Sequence, residues 1–379
     1  MIRACKATAL ALILSFFFAG RARAVTDKNS ASTDAHPIAT AQFGYFVLPE
    51  QKGTQVHSTL AFISDDALAL LLCPPNLASN CQLVVLQLSG GHIEVLAHKA
   101  DVYSGTVLFG SSEGLVLDPH LYGQPTRLYS RDLSTDDQFP DPGSISLRIS
   151  LSGGTIAVWT KPSRSRQDSR WTIYRVRSLP SPAVEKIKDV VGDLQAVGDD
   201  ELVMRVGDTI QTETTEGKVV GSFQVKPRSK DETNVEFAGK DRLYVATWHH
   251  DRIVDLNGKE LVKLRAPDGW GFRHGWSADG SRLLFDHYTR KVPLLQSVGE
   301  DILAVGTLGV GAVDQDDNGE AIRVLDTVTG KTCFDWKDPK HLIDAGRYHA
   351  DISPDGRLLA VVVGGTLTMY ALPDSCGKN

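Results

Sequence analysis

The chain has 379 residues, of which 42% are hydrophobic and 23% are charged, and its formal net charge is −6. This length provides a sizeable core or two ordinary domains, and repeat architectures reach it as a single unit. The acidic balance argues against nucleic acid and against an anionic membrane surface as partners.

Residues 1–24 have the pattern of a secretory signal peptide. Arg3 and Lys6 provide the basic start, residues 7–20 are apolar, and the sequence A-R-A at 22–24 fits the small-x-small cleavage rule. A membrane anchor is the alternative, but the apolar run is shorter than the ~20 residues that a span requires. We therefore predict cleavage, export to the periplasm or the extracellular space, and no membrane span. Removing this segment lowers the number of Lys and Arg residues from 40 to 36 against 46 Asp and Glu residues, so the mature net charge is −10.

Residues 25–40 are polar and small, and we predict a flexible leader there. A single domain is predicted to follow at 41–376. It begins with an isolated apolar strand at 41–48, AQFGYFVL, which has no neighbouring strand in the sequence.

Seven short turns, each between two apolar runs, recur along the domain. In the last of them proline presets φ, aspartate bonds its own backbone and glycine tolerates positive φ. Most intervals match the ~40–50 residues of a propeller blade. The pattern predicts an all-β fold, a seven-bladed β-propeller of four-stranded antiparallel blades. The turns are Ser64-Asp65-Asp66, Ser111-Ser112-Glu113-Gly114, Ser152-Gly153-Gly154, Gly198-Asp199-Asp200, Gly239-Lys240-Asp241, Ala278-Asp279-Gly280 and Pro354-Asp355-Gly356.

Two segments leave alternatives within this scheme. The interval from Asp279 to Asp355 is too long for one blade, so we place an insertion at 291–320, between the second and third strands of blade 6. An eighth, degenerate blade is the alternative, because 299–310 contains an apolar run of its own. The amphipathic segment 183–191 fits either a helix or an outer strand.

The last repeat unit lacks an outer strand, because only a short polar tail follows its third strand at 366–372. We predict that the N-terminal strand 41–48 pairs with 366–372 and closes the ring. Closure removes the exposed edge that an open sheet would offer.

Four cysteines remain after the signal peptide, and an even number in an oxidising compartment favours disulfides. Cys73 and Cys81 flank a turn-rich loop, so we pair them across a hairpin. Cys333 and Cys376 then pair by elimination. Free buried thiols or a metal site are the alternatives, but no Cys or His spacing supports a metal.

Residues 322–331, IRVLDTVTGK, and 349–363, HADISPDGRLLAVVV, resemble the WD-repeat and YVTN-type propeller families. Blades of those families carry an SPDG-like turn between their first two strands, and often an aspartate and a Thr-Gly turn after the third. Asp326 and Thr329-Gly330 match the second feature. The resemblance implies a binding or assembly platform, although a fold by itself does not determine function.

Polar aromatic and basic residues are predicted to gather where the second strand passes to the third and where one blade passes to the next. Such residues near a central channel are suited to an anion, a metal or a sugar. For the histidines the alternative is a structural role within a blade. Trp159 and Trp171 lie in predicted strands and are expected to pack between blades. The candidate ligand-binding residues are Trp248, His249, His250, Trp270, Arg273, His274 and Arg347.

Asp314, Asp316 and Asn318 form a D-x-D-x-N-G sequence, which is how calcium loops begin. The acids that complete an EF-hand or an integrin-like loop are missing, because Leu325 and Ile322 stand at those positions. An acidic exposed turn is therefore the alternative to a calcium site, and we predict no other cofactor.

The sequence has no G-x-S-x-G, Walker or H-E-x-x-H motif. We therefore predict an exported, non-enzymatic propeller that binds a protein, a peptide or a glycan on one face. The alternative is a propeller enzyme, either a metal-dependent lactonase-like hydrolase or a lyase, with its site in the central channel. That alternative requires acids and histidines from several blades to converge on one cation.

Overall fold

The computed structural model describes residues 37–43, 59–74, 81–103, 106–111, 113–119, 124–142, 147–161, 166–177, 181–225, 234–246, 251–264, 273–287, 321–337, 348–363, 365–374 and 376. These residues form β-strands and turns with one short 3-10 helix at Arg166–Asp168. Within these ranges there is no helix with the length and hydrophobicity needed to span a bilayer.

The strands form seven four-stranded antiparallel sheets, so the predicted seven-bladed propeller is confirmed. The closing strand is β1 (Pro37–Gln42). Blade 1 comprises β2 (Leu60–Phe62), β3 (Ala67–Leu72), β4 (Cys81–Ser89) and β5 (His92–Val102), and blade 2 comprises β6 (Val107–Ser111), β7 (Gly114–Asp118), β8 (Pro125–Tyr129) and β9 (Asp136–Pro142). Blade 3 comprises β10 (Leu147–Ile149), β11 (Thr155–Lys161), β12 (Arg170–Arg177) and β13 (Ala183–Val191).

The remaining sheets repeat the same order. Blade 4 comprises β14 (Asp193–Val197), β15 (Glu201–Val206), β16 (Thr209–Thr214) and β17 (Val219–Gln224), and blade 5 comprises β18 (Asn234–Phe237), β19 (Arg242–Ala246), β20 (Asp251–Asp255) and β21 (Glu260–Leu264). Blade 6 comprises β22 (Arg273–Trp276), β23 (Arg282–His287), β24 (Ala321–Asp326) and β25 (Thr332–Lys337). Blade 7 comprises β26 (Tyr348–Ile352), β27 (Leu358–Val363) and β28 (Thr366–Ala371) together with β1.

The first strand of each blade is the innermost, and it lies beside the first strands of neighbouring blades, as β2 does with β6 and β26. Buried aliphatic side chains fill the space between blades. Leu71 and Leu83 of blade 1 pack in one cluster with Leu108 and Leu115 of blade 2. Burial of each such side chain contributes about 2 kcal/mol of transfer free energy, so packing between blades stabilises the ring.

The ring is closed by the N-terminal strand, as predicted, but the strand is β1 and not 41–48. Ala41 pairs with Leu367 and Gln42 with Thr366, so β1 is the outer strand of blade 7. The strand therefore starts inside the predicted leader 25–40. Sequence patterns missed it because, of its six residues, only Ala39 is buried. Residues 44–48 lie outside the described ranges.

All seven predicted turns connect the first strand of a blade to the second. Segment 183–191 is the outer strand β13. The predicted insertion lies where expected, because β23 pairs directly with β24 and the chain between them is 288–320. The alternative eighth blade rested on 299–310, which lies outside the described ranges.

Both predicted disulfides are present. Cys73 and Cys81 are bonded across eight residues of sequence, and Cys333 and Cys376 across 43.

The two ends of the blades differ. We call the end with the connections from first to second and from third to fourth strands the turn face, and its longest connection is 130–135. The opposite end, the loop face, carries connections from second to third strands and from one blade to the next, including 265–272, 288–320 and 338–347.

Candidate functional site

The candidate ligand-binding residues belong to the loop face by topology. Trp248, His249 and His250 fall between β19 and β20, Trp270 between β21 and β22, and Arg347 just before β26. These five lie outside the described residues and remain predictions.

Two further candidates, Arg273 and His274, open the inner strand β22 at the loop face. Their side chains are not among those described, so their roles also remain predictions. The possible calcium ligands Asp314, Asp316 and Asn318 fall in the connection between β23 and β24, outside the described residues.

The first strands of all seven blades line a central channel with a cavity volume of about 880 Å³. This size falls in the range of small-molecule sites. Its wall carries ionisable side chains, of which the sequence had pointed only to His349, as a polar residue near the channel. They are Asp118, Arg148, Asp193, Glu236, His349 and Asp351.

Polar groups of the channel wall join neighbouring blades. The Asp351 carboxylate of blade 7 accepts a hydrogen bond from the backbone N–H of Phe62 in blade 1, at 2.7 Å. The Glu236 carboxylate of blade 5 accepts one from the indole N–H of Trp276 in blade 6, at 3.0 Å. These carboxylates therefore hold inner strands together.

A basic side chain joins blades 3 and 4 at their boundary. Arg148 Nε donates to the carbonyl oxygen of Gln195 at 3.2 Å, and the Gln195 amide donates to Asp193 at 2.8 Å. Asp193 also lies opposite the buried Arg205 in the register of β14 and β15. The charges at this boundary are thus largely engaged by the protein.

Among the described residues, three potential metal donors come within 4.8 Å of one another at one place, formed by Asp326, Cys333 and Cys376. The two cysteines are joined in a disulfide, so neither supplies the thiolate that a metal requires. The channel acids form no such group within that part of the chain. The single-cation arrangement that the lactonase-like alternative requires is therefore not assembled by the described residues.

The channel wall of blade 3 carries two stacked indoles. The rings of Trp159 and Trp171 are 5.6 Å apart and nearly parallel, at 11°. The Arg148 guanidinium lies 5.7 Å from the Trp171 ring centre. Trp171 packs with Leu194 and Leu202 of blade 4, as predicted for a residue between blades. Both indoles also line the channel, which sequence reasoning missed.

Three polar atoms at this corner are buried and have no hydrogen-bond partner among the described residues. They are Nε1 of Trp159, Nε1 of Trp171 and the hydroxyl oxygen of Ser169. Ser169 directly precedes β12 at the loop face, so this corner lies at the loop-face end of the channel. Buried polar atoms are rarely left unpaired in proteins, which marks this corner as unusual.

No protein-family model and no curated protein sequence matches the chain. Among solved structures, the fold is similar to a chain of a mitotic checkpoint complex, with a TM-score of 0.51 and 11% identity over 93% of this chain and 100% of that one. Hsv2 of Kluyvelomyces marxianus is also similar, with a TM-score of 0.45 and 11% identity over 82% and 89% of the two chains. At these identities the first likeness shows the fold alone, and it supports the predicted WD-repeat-like propeller.

Proposed function

We propose that this protein is an exported, non-enzymatic platform that binds a protein, a peptide or a glycan through its loop face. The asymmetry of the ring carries this proposal. The turn face is made of short connections, whereas the loop face has connections such as 265–272 and 288–320. Long connections in compact domains are uncommon unless they have a function.

The chemistry of these connections supports a binding role. Trp270 and Arg273 belong to the residue types that most often carry binding energy in interfaces. The mitotic checkpoint complex shows that a chain of this fold occurs in a multiprotein assembly. Fold likeness of this kind supports a platform in general, and the partner of this chain has to be identified by its own surface.

Export rests on separate observations. The signal pattern at 1–24 predicts cleavage, and disulfides such as those of this chain form and persist in oxidising compartments. Expression of the full chain in its own cells should yield a mature protein that begins at Val25. Peptide mass analysis of the cell envelope and of the medium measures this. A cytoplasmic protein that retains residues 1–24 would contradict export.

The binding face can be tested with a matched pair of surface valines. Val206 ends β15 at the loop face and Val328 lies in the turn between β24 and β25, and they are 55% and 58% exposed. A photo-crosslinking residue placed at Val206 should form a specific adduct with the cellular partner, whereas one at Val328 should not. Equal adducts from both positions, or adducts from Val328 alone, would contradict the assignment.

The anchors within the face are tested by Trp270→Ala and Arg273→Ala. Each should weaken partner binding by about 1–3 kcal/mol and leave the melting temperature unchanged. If melting falls and binding per folded molecule stays the same, the residue packs between blades and does not contact the partner.

A further inference from the structure

The outer strand of each blade leaves one edge of its sheet without a partner strand. Proteins usually protect such an edge with charged residues or proline, because its open N–H and C=O groups pair readily with other chains. Charged residues occur in β5, β9, β13, β21 and β25, and β1 begins with proline and lies against β5. Strand β17, with the sequence VVGSFQ, has neither form of protection. Among the outer strands of the described blades, β17 is therefore the one whose sequence leaves its edge open.

The ladder between β16 and β17 shows which backbone groups point away from the blade. Val225, directly after β17, donates its N–H to the Asp208 carbonyl at 2.7 Å. Every second pair of an antiparallel ladder is hydrogen-bonded, so Phe223 also faces β16, whereas Ser222 and Gln224 direct their N–H and C=O groups outward. Within the described residues these outward groups have no hydrogen-bond partner. They are therefore available to a further strand.

The strand is held firmly while its edge stays exposed. Its register irregularity lies at the start, beside Val220, and leaves 221–224 regular. One face packs on blade 5, where a Cβ added to Gly221 would lie 2.4 Å from the Leu256 carbonyl oxygen, and Phe223 belongs to the same apolar cluster as Leu256. At the other end of the exposure scale, Val219 is 47% exposed and Val220 is 40% exposed. The edge thus combines outward backbone groups with exposed apolar side chains on a preformed strand.

The chemistry of this edge restricts its occupant. A row of outward N–H and C=O groups recognises another extended backbone, which adds to the sheet as a strand. A second copy paired through the same six residues is one such occupant, but a strand this short buries far less than the about 1,200–2,000 Å² of a stable protein–protein interface. A peptide segment needs no such area, because main-chain bonds supply much of its affinity. Since β17 carries no charge, uncharged β-branched residues suit the positions beside Val219 and Val220.

We propose that the outer edge of β17 is a docking site that binds an uncharged, extended peptide segment of a partner protein as the fifth strand of blade 4. The site lies on the rim of the ring. It is separate from the loop face, so this inference goes beyond the proposed function and does not rest on it.

Amide exchange with solvent, measured by NMR on the mature protein, tests the docking site. In the free protein the Phe223 amide should be protected, whereas those of Ser222 and Gln224 should exchange rapidly. The probe is the capped hexapeptide acetyl-TVTVTV-amide, which at saturation should slow exchange of the Ser222 and Gln224 amides about tenfold. The same peptide N-methylated at every residue keeps its side chains but donates no backbone hydrogen bond, and it should have no effect.

Three outcomes overturn the proposal. The first is protection of Ser222 and Gln224 in the free monomeric protein, because the edge would then be covered by the chain itself. The second is protection that rises with protein concentration in the absence of peptide, because a second copy would then be the occupant. The third is unchanged exchange at these two amides when the unmethylated peptide is added.

Variants of the edge localise the binding. Ser222→Pro removes an outward donor without removing a bond to β16, so it should abolish peptide binding, whereas Ser222→Thr retains the donor and should bind as the unaltered protein does. A charge on the edge should have a similar effect, so the double variant Val219→Asp/Val220→Asp should weaken binding at least about tenfold. Val191→Asp, at an exposed valine of β13, is its matched control and should leave binding unchanged. If Ser222→Pro fails to fold, the aspartate variants decide, and unchanged peptide binding by the folded double variant overturns the site.

Discussion

The two faces of the ring differ in how the blades are joined. At the turn face, polar groups of the repeated turns bond directly from one blade to the next. These bonds are Ser111 Oγ to the Gly153 carbonyl at 2.8 Å, Thr155 Oγ1 to the Asp199 carbonyl at 2.9 Å, Ala278 N to the Pro354 carbonyl at 2.7 Å, and Asp355 N to the Asp65 carboxylate at 3.0 Å.

The loop face has a different character. Its connections range from the single residue 192 to 288–320. Bonds between the repeated turns therefore join the blades at the face where the connections are short. Variation in the length of the loop-face connections leaves those bonds in place.

The largest expected effect is a difference in stability loss between removal of the two disulfides, of which one lies at each face. Replacing both Cys333 and Cys376 by alanine removes the turn-face bond, which spans 43 residues, whereas Cys73 and Cys81 span eight. The loop-entropy relation predicts losses of about 4 kcal/mol and about 2.5 kcal/mol in the free energy of unfolding. Urea unfolding of the two double variants measures both. A loss for the loop-face pair that equals or exceeds the other would contradict the comparison.

The next effect concerns Arg282, which is 8% exposed at the turn face. Its guanidinium donates to the carbonyl oxygens of Pro373 and Asp374, each at 3.1 Å, and to the sulfur of Cys333. Lysine keeps the charge but cannot reproduce the fork of donors, so Arg282→Lys should cost about 3 kcal/mol.

Arg357→Lys is the matched control for Arg282. Its side chain is 72% exposed and also approaches the Asp374 carboxylate, at 3.9 Å. Exposed ion pairs contribute little, so this change should cost less than about 1 kcal/mol. Equal losses for the two lysine variants in urea unfolding would show that burial of Arg282 contributes nothing.

A pair of serine variants compares the faces directly. Ser277 is fully buried at the turn face. Its hydroxyl accepts a hydrogen bond from the backbone N–H of Arg282 at 2.9 Å and donates one to the Asp279 carboxylate at 2.7 Å. Ser277→Ala leaves that N–H unpaired and should cost about 1–2 kcal/mol. Ser169→Ala removes a hydroxyl that has no partner among the described residues, and it should leave stability unchanged or raise it. Thermal unfolding of both variants measures the two changes in stability. A larger loss for Ser169→Ala than for Ser277→Ala would contradict the difference between the faces.

The smallest effect is a pH dependence at the turn face. Hydrogen bonds from Ser130 and Ser134 lower the pKa of Asp132 from 3.8 to about 2. Because the folded pKa lies below the unfolded one, this stabilisation is present above pH ~4 and is lost as the pH falls through about 2. The loss is small because Asp132 is exposed. Asp132→Asn should weaken the dependence of the melting temperature on pH between pH 4 and 2. An unchanged dependence would contradict a contribution from Asp132.

The parts of the fold that were predictable are those encoded locally. The seven turns were recognisable because serine, aspartate and glycine form a turn from neighbouring residues, as at 353–356, where the Ser353 hydroxyl bonds Asp355 at 2.6 Å. Strand β1 was misplaced because its sequence, PIATAQ, presents little apolar surface. Its position is set by pairing with β28, which no local pattern reveals.

The channel wall was not predictable for a similar reason. Arg148 and Asp118 stand in or at the end of short apolar strands, where sequence alone does not distinguish an inward side chain from one between blades. The unpaired donors of Trp159, Trp171 and Ser169 depend on which neighbours fail to reach them. Only the folded arrangement of blades 3 and 4 shows that.

The pairing of Pro37–Gln42 with Thr366–Ala371 also predicts an order of folding. Residue 37 is among the first of the domain to be synthesised, but its partner strand is among the last. Contacts this distant in sequence form slowly, so blades 1 to 6 are able to assemble before the ring closes. Until closure, β28 exposes an edge that invites pairing with other chains. We therefore expect protection from aggregation to be acquired at the final step, when the two ends of the domain meet.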